Sequence, residues 1–318
     1  MIKSKSICAV YHWWGENFPP YANLRAPILP SIATLRAVSN IPIVVLNCSE
    51  KYDQQSWGRF PETLDFQVIN IVAGLKKYQH LVPGWLHLSR LFDLQTHITN
   101  KTVMYVDSDV FWFRNPVPLL EDSNRMCINP NNSGFFYYND QTREVNEFFD
   151  IFKSHAISAI HSMAIRELFK KYISWDAWYG VWDEMILKFM HNQNPNIINV
   201  LSTNEHAITS QIIMADPNKV NMLHANGMSV GNKYPKNEGE AFHSRGLLGI
   251  AVKEFYEKIQ SVLSEEDIKL IYTQDQLNEY VPLQFELLNN LHRIEASKNE
   301  NGHFDFSKCV TPDKLRFI

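Results

Sequence analysis

The chain has 318 residues and a mass of 37.0 kDa, enough for one large domain or one domain with an appendage. Thirty Lys and Arg against 34 Asp and Glu leave a formal charge of −4, without the basic surplus that nucleic-acid binding usually shows. Hydrophobic residues at 45% and charged ones at only 20% exclude wholesale disorder and allow a sizeable core.

From the N-terminus, SICAVY (6–11) is a short apolar run ending in the polar, aromatic turn HWWGENFPP. It lacks a small-residue cleavage site and reads as a first strand, not a signal peptide. Residues 22–39 have helical spacing, with Leu24, Ile28, Ile32, Leu35 and Val38 at threes and fours. IPIVVLN (41–47) is β-branched and apolar enough for a buried parallel strand, and FQVINI (66–71) is read as another. GWLHLSRLFDLQTHI (84–98) is an amphipathic helix and KTVMYV (101–106) the next strand. Such alternation predicts an α/β fold, a mostly parallel sheet with helices on both faces.

Beyond this the pattern changes. RMCINP (125–130) and GFFYYN (134–139) read as two strands around an Asn-Asn-Ser-Gly turn. Residues 142–172 are mostly helical, 181–191 form a short helix, and NMLH (221–224) is strand-like and leads into a Gly-rich loop, 226–232. From about 247 the chain reads as helices with charged faces and a polar tail. The expected division is therefore a main domain, 1–246, with a helical extension, 247–318, packed on it. No apolar run approaches the roughly 20 residues of a membrane span, and peripheral membrane contact stays open. Four cysteines without a CxxC pair read as reduced, buried thiols, so a cytoplasmic protein is expected.

The central chemical signal is Asp107-Ser108-Asp109, directly after the strand KTVMYV. Residues two apart on an extended chain share a face, so both carboxylates can aim at one point beyond the strand's carboxyl end. Ligands of open α/β sheets bind there. Two hard oxygen ligands suit Mg²⁺ or Mn²⁺ bridging a diphosphate. With fifteen aspartates in the chain, one such triplet is close to chance, and its context has to carry the weight.

That context is specific. MYVDSDVFWFRNPVP (104–118) resembles the aspartate-x-aspartate (DXD) segment of glycosyltransferases with the GT-A fold, a Rossmann-like sheet. NSGFFYYND (132–140) resembles the asparagine–small–glycine turn and strand that follow it. The likeness is greatest to retaining families, the glycogenin-like enzymes and the plant nucleotide-diphospho-sugar transferases. It spans about residues 6–235 and is strongest over 103–139.

The resemblance implies a metal-dependent transfer of a hexose or pentose from a nucleotide-diphosphate sugar, a UDP-sugar above all, to a glycan or other hydroxyl acceptor. Asp107, Asp109 and His224 would hold the cation, His224 being the histidine that ends a strand ahead of Gly227 and Lys233. Here the interval from glycine to lysine is longer than in the glycogenin-like pattern. Imidazole beside carboxylates favours Mn²⁺, with Mg²⁺ the alternative. Tyr11, His12, Arg90, Asp107, Ser108 and Lys233 would contact the donor. Trp182-Asp183-Glu184 matches the later acidic motif, where Asp183 or Glu184 would steady the reacting sugar or deprotonate the acceptor.

Other classes fit less well. A haloacid-dehalogenase phosphatase would need Thr or Val two residues after the second aspartate, where this chain has Phe111. A sugar-nucleotide pyrophosphorylase would open with a basic, Gly-rich loop, and HWWGENFPP has one glycine and no Lys or Arg. An inverting transferase with Asp183 or Glu184 as base, and a catalytically silent sugar-nucleotide-binding scaffold, stay as alternatives.

Overall fold

The computed structural model describes residues 6–14, 28–50, 62–81, 85–99, 101–108, 110–122, 124–130, 132–171, 182–202, 205–208, 221–224 and 258–271. Its centre is a seven-stranded sheet. In chain order the strands are β1 (Ile7–Trp13), β2 (Ile43–Asn47), β3 (Phe66–Asn70), β4 (Thr102–Val106), β6 (Met126–Asn129), β7 (Asn132–Asn139) and β8 (Ile198–Val200). Their spatial order is β3-β2-β1-β4-β7-β6-β8. All neighbours run parallel except β7, which opposes both β4 and β6. The expected α/β sheet is thus observed, mixed but mostly parallel.

Period-2 alternation sorts the side chains into two cores. Val10, Leu46, Tyr105, Phe136 and Tyr138 face one side, where α2 (Trp85–His97), α3 (Arg143–His161), α4 (Met163–Lys170) and α5 (Trp182–Gln193) cover the sheet. Tyr11, Val45, Val106, Phe135 and Tyr137 face the other, covered by α1 (Ile28–Val38) and a small second sheet. That sheet joins β5 (Val110–Trp112), β9 (Ala207–Ile208) and β10 (Met222–His224) in the order β5-β10-β9. Ile259, Leu263 and Ile268, the last on α6 (Glu265–Ile271), share this second core. Lys258 Nζ donates to the Phe113 carbonyl at 2.8 Å. The rest of 247–318 lies outside the described residues.

Three local readings are corrected or refined by the structure. FQVINI forms a parallel strand, but β3 is the edge of the sheet and only half-buried, because among the described residues one side of its ladder has no neighbour. The helical stretch 142–172 is two helices, broken at Ser162. That residue is extended, and its Oγ accepts the Ile165 N–H, capping α4. The turn expected at Asn-Asn-Ser-Gly is shorter, because β7 already begins at Asn132 and takes Ser133 and Gly134 into the strand. No helix among the described residues is long and apolar enough to cross a membrane. Cys8, Cys48 and Cys127 are buried; Cys309 lies outside the described residues.

Candidate active site

The chain runs β1, β2, β3 outward on one side of β1 and then returns to lay β4 on the other side. This reversal makes the carboxyl ends of β1 and β4 the switch point at which open α/β sheets bind ligands. Asp107 follows β4 there. Because β7 is antiparallel to β4, the beginning of β7 lies alongside, with Val106 opposite Phe135 and the Asp107 N–H donating to the Gly134 carbonyl at 2.8 Å.

Arg90, on α2, joins this strand end to α5. Its Nη1 donates to Asp107 Oδ1 at 3.2 Å and lies 3.4 Å from the Tyr105 hydroxyl; Nη2 donates to Ser133 Oγ and Asp183 Oδ2. The residue is 2% exposed. Tyr105 shares the face of Asp107 and donates to its Oδ1 at 2.6 Å. Burial, then the Asp107 charge, pushes the phenol pKa well above its ordinary value, so Tyr105 stays a donor. The Ser133 hydroxyl donates to Asp183 Oδ2 at 2.6 Å, and its N–H to Glu184 Oε1 at 3.3 Å.

The two acids of α5 are therefore set apart. For Asp183, burial alone would raise the pKa, but Arg90 and the Ser133 hydrogen bond outweigh it and hold the group ionised. Glu184 has burial and the neighbouring Asp183 charge against ionisation, and its pKa is pushed up to about 8. The unfolded chain releases this proton near 4.5. Between those values the folded state holds more protons, so stability falls as pH rises, by at most about 1.4 kcal/mol per pH unit. Glu184→Gln, which copies the protonated acid, has no such slope. Urea midpoints of the two proteins should agree near pH ~4 and then diverge in the variant's favour up to pH ~8. Parallel curves would mean that Glu184 is ionised in the folded protein at neutral pH.

The fourth component arrives from the small sheet. β10 pairs with β5, immediately after the acidic triplet, with His224 opposite Val110. This places His224 over Gly134. A Cβ on Gly134 would lie 1.9 Å from His224 Cε1, and 2.7 Å from both His224 Nε2 and Asp107 Oδ2. Those two polar atoms are thus at most twice 2.7 Å apart. Only a residue without a side chain permits that approach. The other imidazole nitrogen, Nδ1, lies 3.1 Å from Nε2 of His206, a residue with no solvent exposure.

Of the expected site residues, Arg90, Asp107, Asp183, Glu184 and His224 are brought together. Ser108 sits half-buried in the turn beside them, while Asp109 and Lys233 lie outside the described residues. Tyr11 and His12, on β1, have other partners. Tyr11 is buried with its hydroxyl 3.1 Å from Ser31 Oγ. His12 lies in a buried cluster, with Nε2 3.1 Å from both Asp93 Oδ2 and Cys48 Sγ. His12, Cys48 and Asp93 offer donor atoms within 4.8 Å of one another, spaced closely enough for a metal. The far nitrogen argues against it. His12 Nδ1 accepts the Trp14 indole N–H at 2.6 Å, so the neutral ring carries its proton on Nε2 and donates toward Asp93. Tyr105, Ser133 and His206 are site residues that the motif reading missed.

The chain is similar in structure to the glycosyltransferase GlyE of Streptococcus pneumoniae TIGR4 (15% identity over 80% of this chain and 64% of that one, TM-score 0.47). It is also similar to mouse xyloside xylosyltransferase 1 (13%, 71% and 98%, TM-score 0.44). A third likeness is to the galactosyltransferase LgtC, solved with donor and acceptor sugar analogues (14%, 83% and 99%, TM-score 0.45). The match thus spans less than two thirds of GlyE. No family model and no curated protein matches the chain.

Proposed function

We propose that the chain is a metal-dependent glycosyltransferase that takes its sugar from a nucleotide-diphosphate donor, a UDP-sugar in the first instance, and passes it to a hydroxyl acceptor with retention. The observation that carries this reading is the convergence of Asp107 and His224 over Gly134 at the switch point of the sheet, backed by the Arg90–Asp183–Glu184 cluster. A carboxylate oxygen and an imidazole nitrogen facing the same small space are a donor set that fits Mn²⁺ better than Mg²⁺. Asp107 and His224 would hold the ion, with Asp109 the third ligand implied by the motif. Such an ion, when bound, supplies Lewis-acid stabilisation of the departing diphosphate.

The protein's own groups do the positioning. Arg90 and Tyr105 fix Asp107 from behind, so its carboxylate does not have to reorganise when donor binds. Lys233, by the same reading, contacts the diphosphate, and Tyr11 and His12 mark the strand end near which the nucleotide base would lie. Retention is favoured by the state of the two acids. An inverting enzyme needs a free base at the acceptor hydroxyl. Asp183 is ionised but held by Arg90 and Ser133, and Glu184 keeps its proton to about pH 8. Asp183 is better suited to steadying positive charge on the sugar.

The test is a screen of common sugar nucleotides for hydrolysis and transfer, with Mn²⁺ and with EDTA. Turnover should require the metal. Asp107→Asn, which keeps size and loses charge, should cost more than the roughly 10–100-fold that loss of an outer-shell partner costs. The first product from an α-linked donor should be α-linked by proton NMR. A β-linked product returns Asp183 or Glu184 to the role of base, and full activity in EDTA removes the metal from the reading.

A further inference from the structure

We propose that His206 is a positioning residue that accepts the Nδ1–H of His224 and so leaves the His224 Nε2 lone pair facing Asp107. The proposal rests on the metal-binding reading above and deepens it by naming what orients the nitrogen ligand. A neutral imidazole carries one proton on one of two nitrogens. For Nε2 of His224 to bind a cation, the proton must sit on Nδ1, and in metal sites that N–H is almost always given to an acceptor that fixes ring and tautomer.

The acceptor is in place. His206 Nε2 lies 3.1 Å from His224 Nδ1, and the two rings are nearly parallel, 12° apart with centroids at 5.3 Å. His206 is itself held. Its backbone N–H and that of Glu205 both donate to the Ser202 carbonyl, at 3.0 and 3.1 Å, while the Glu205 carboxylate accepts the Ser202 N–H at 2.7 Å. Phe135, next to Gly134 in β7, makes a T-shaped contact with its ring, centroids 5.6 Å apart. Its own far nitrogen, Nδ1, is buried with no hydrogen-bond partner among the described residues. In this role His206 carries its own proton on Nδ1, which leaves Nε2 as the acceptor. His12 shows the opposite arrangement, since its far nitrogen accepts from Trp14 and leaves Nε2 a donor.

The experiment is a Mn²⁺ titration of the full chain, reading free Mn²⁺ by electron paramagnetic resonance, for wild type, His206→Phe and His206→Gln, with thermal melts for each. Phe keeps the ring volume and offers no acceptor; Gln offers a carbonyl. The Phe variant should bind Mn²⁺ about 10–100-fold more weakly, and the Gln variant should recover most of that loss. Equal affinity in wild type and the Phe variant overturns the role of His206 and leaves the metal site standing. Equal weakness in the Phe and Gln variants reduces His206 to a packing residue and also overturns it. If wild type binds no Mn²⁺, the metal reading falls and this inference with it. Should the Phe variant fail to melt cooperatively, His206→Leu, also without an acceptor, is compared with Gln by the same readout.

Discussion

Arg90→Met is expected to cost about 3–5 kcal/mol of stability, the loss typical of removing one partner from a buried ion pair. Asp183 has no solvent exposure, and without the guanidinium the hydrogen bond that its carboxylate keeps among the described residues is that from the Ser133 hydroxyl. Asp107 is less affected, because its side chain is 27% exposed and water can take over part of the work. The reverse truncation is milder: in Asp183→Asn, Arg90 still has Asp107 and Tyr105 as partners, and a loss of about 1–3 kcal/mol is expected.

The double variant should therefore be much more stable than the sum of the two losses implies, since the neutral amide that replaces the Asp183 carboxylate does not need the cation. Urea denaturation of the four proteins measures this coupling, and additive losses would show that the pair is not the unit described here. The pH dependence has a definite sign. In wild type the Asp183 pKa is lowered, so its contribution is present above the ordinary carboxylate value and is lost only as pH falls through the lower folded one. In Arg90→Met the largest influence opposing burial is gone, and that pKa rises. The gap between the two proteins should be widest near neutrality and shrink in acid.

Local periodicity made much of the fold legible. A β-branched run such as IPIVVLN can bury both faces only inside a sheet, and it forms the interior strand β2. Asp107 was legible for a related reason, since a strand of known direction must end somewhere and an acid there has one place to point. The rest depends on pairings that no local pattern encodes. Nothing in NMLH says that its strand leaves the main sheet and pairs with VFW at 110–112, although that pairing carries His224 to Asp107. Arg90 and Asp183 are 93 positions apart, and an arginine on an amphipathic helix looks the same whether it meets water or a buried acid. His206 stands alone in NEHAI, with no spacing to mark it. Composition around Gly134 resembled a turn, but what requires glycine there is the close approach of His224 and Asp107, visible only once three strands are assembled.

That approach makes Gly134→Ala the substitution with the largest expected effect on the proposed chemistry. The added methyl would sit 1.9 Å from His224 Cε1 and 2.7 Å from Asp107 Oδ2, so something has to move. β7 lies between β4 and β6 in the seven-stranded sheet, whereas His224 ends a three-residue strand of a three-stranded one. The weaker element should yield, carrying the imidazole away from the carboxylate. Overpacking of this kind costs about 1–3 kcal/mol, so the protein should still fold. Displacing a ligand by about 1 Å is enough to cost on the order of 10²-fold in turnover, and Mn²⁺ affinity should fall with it. Gly74→Ala is the control. There the nearest atom is Asp93 Oδ1 at 3.0 Å, away from His224, and Mn²⁺ affinity should not change. Calorimetric Mn²⁺ binding beside thermal melts separates the two outcomes. A Gly134→Ala protein that binds Mn²⁺ as wild type does would mean that Asp107 and His224 do not share an ion, because no arrangement of the two around that methyl keeps them converged on one point.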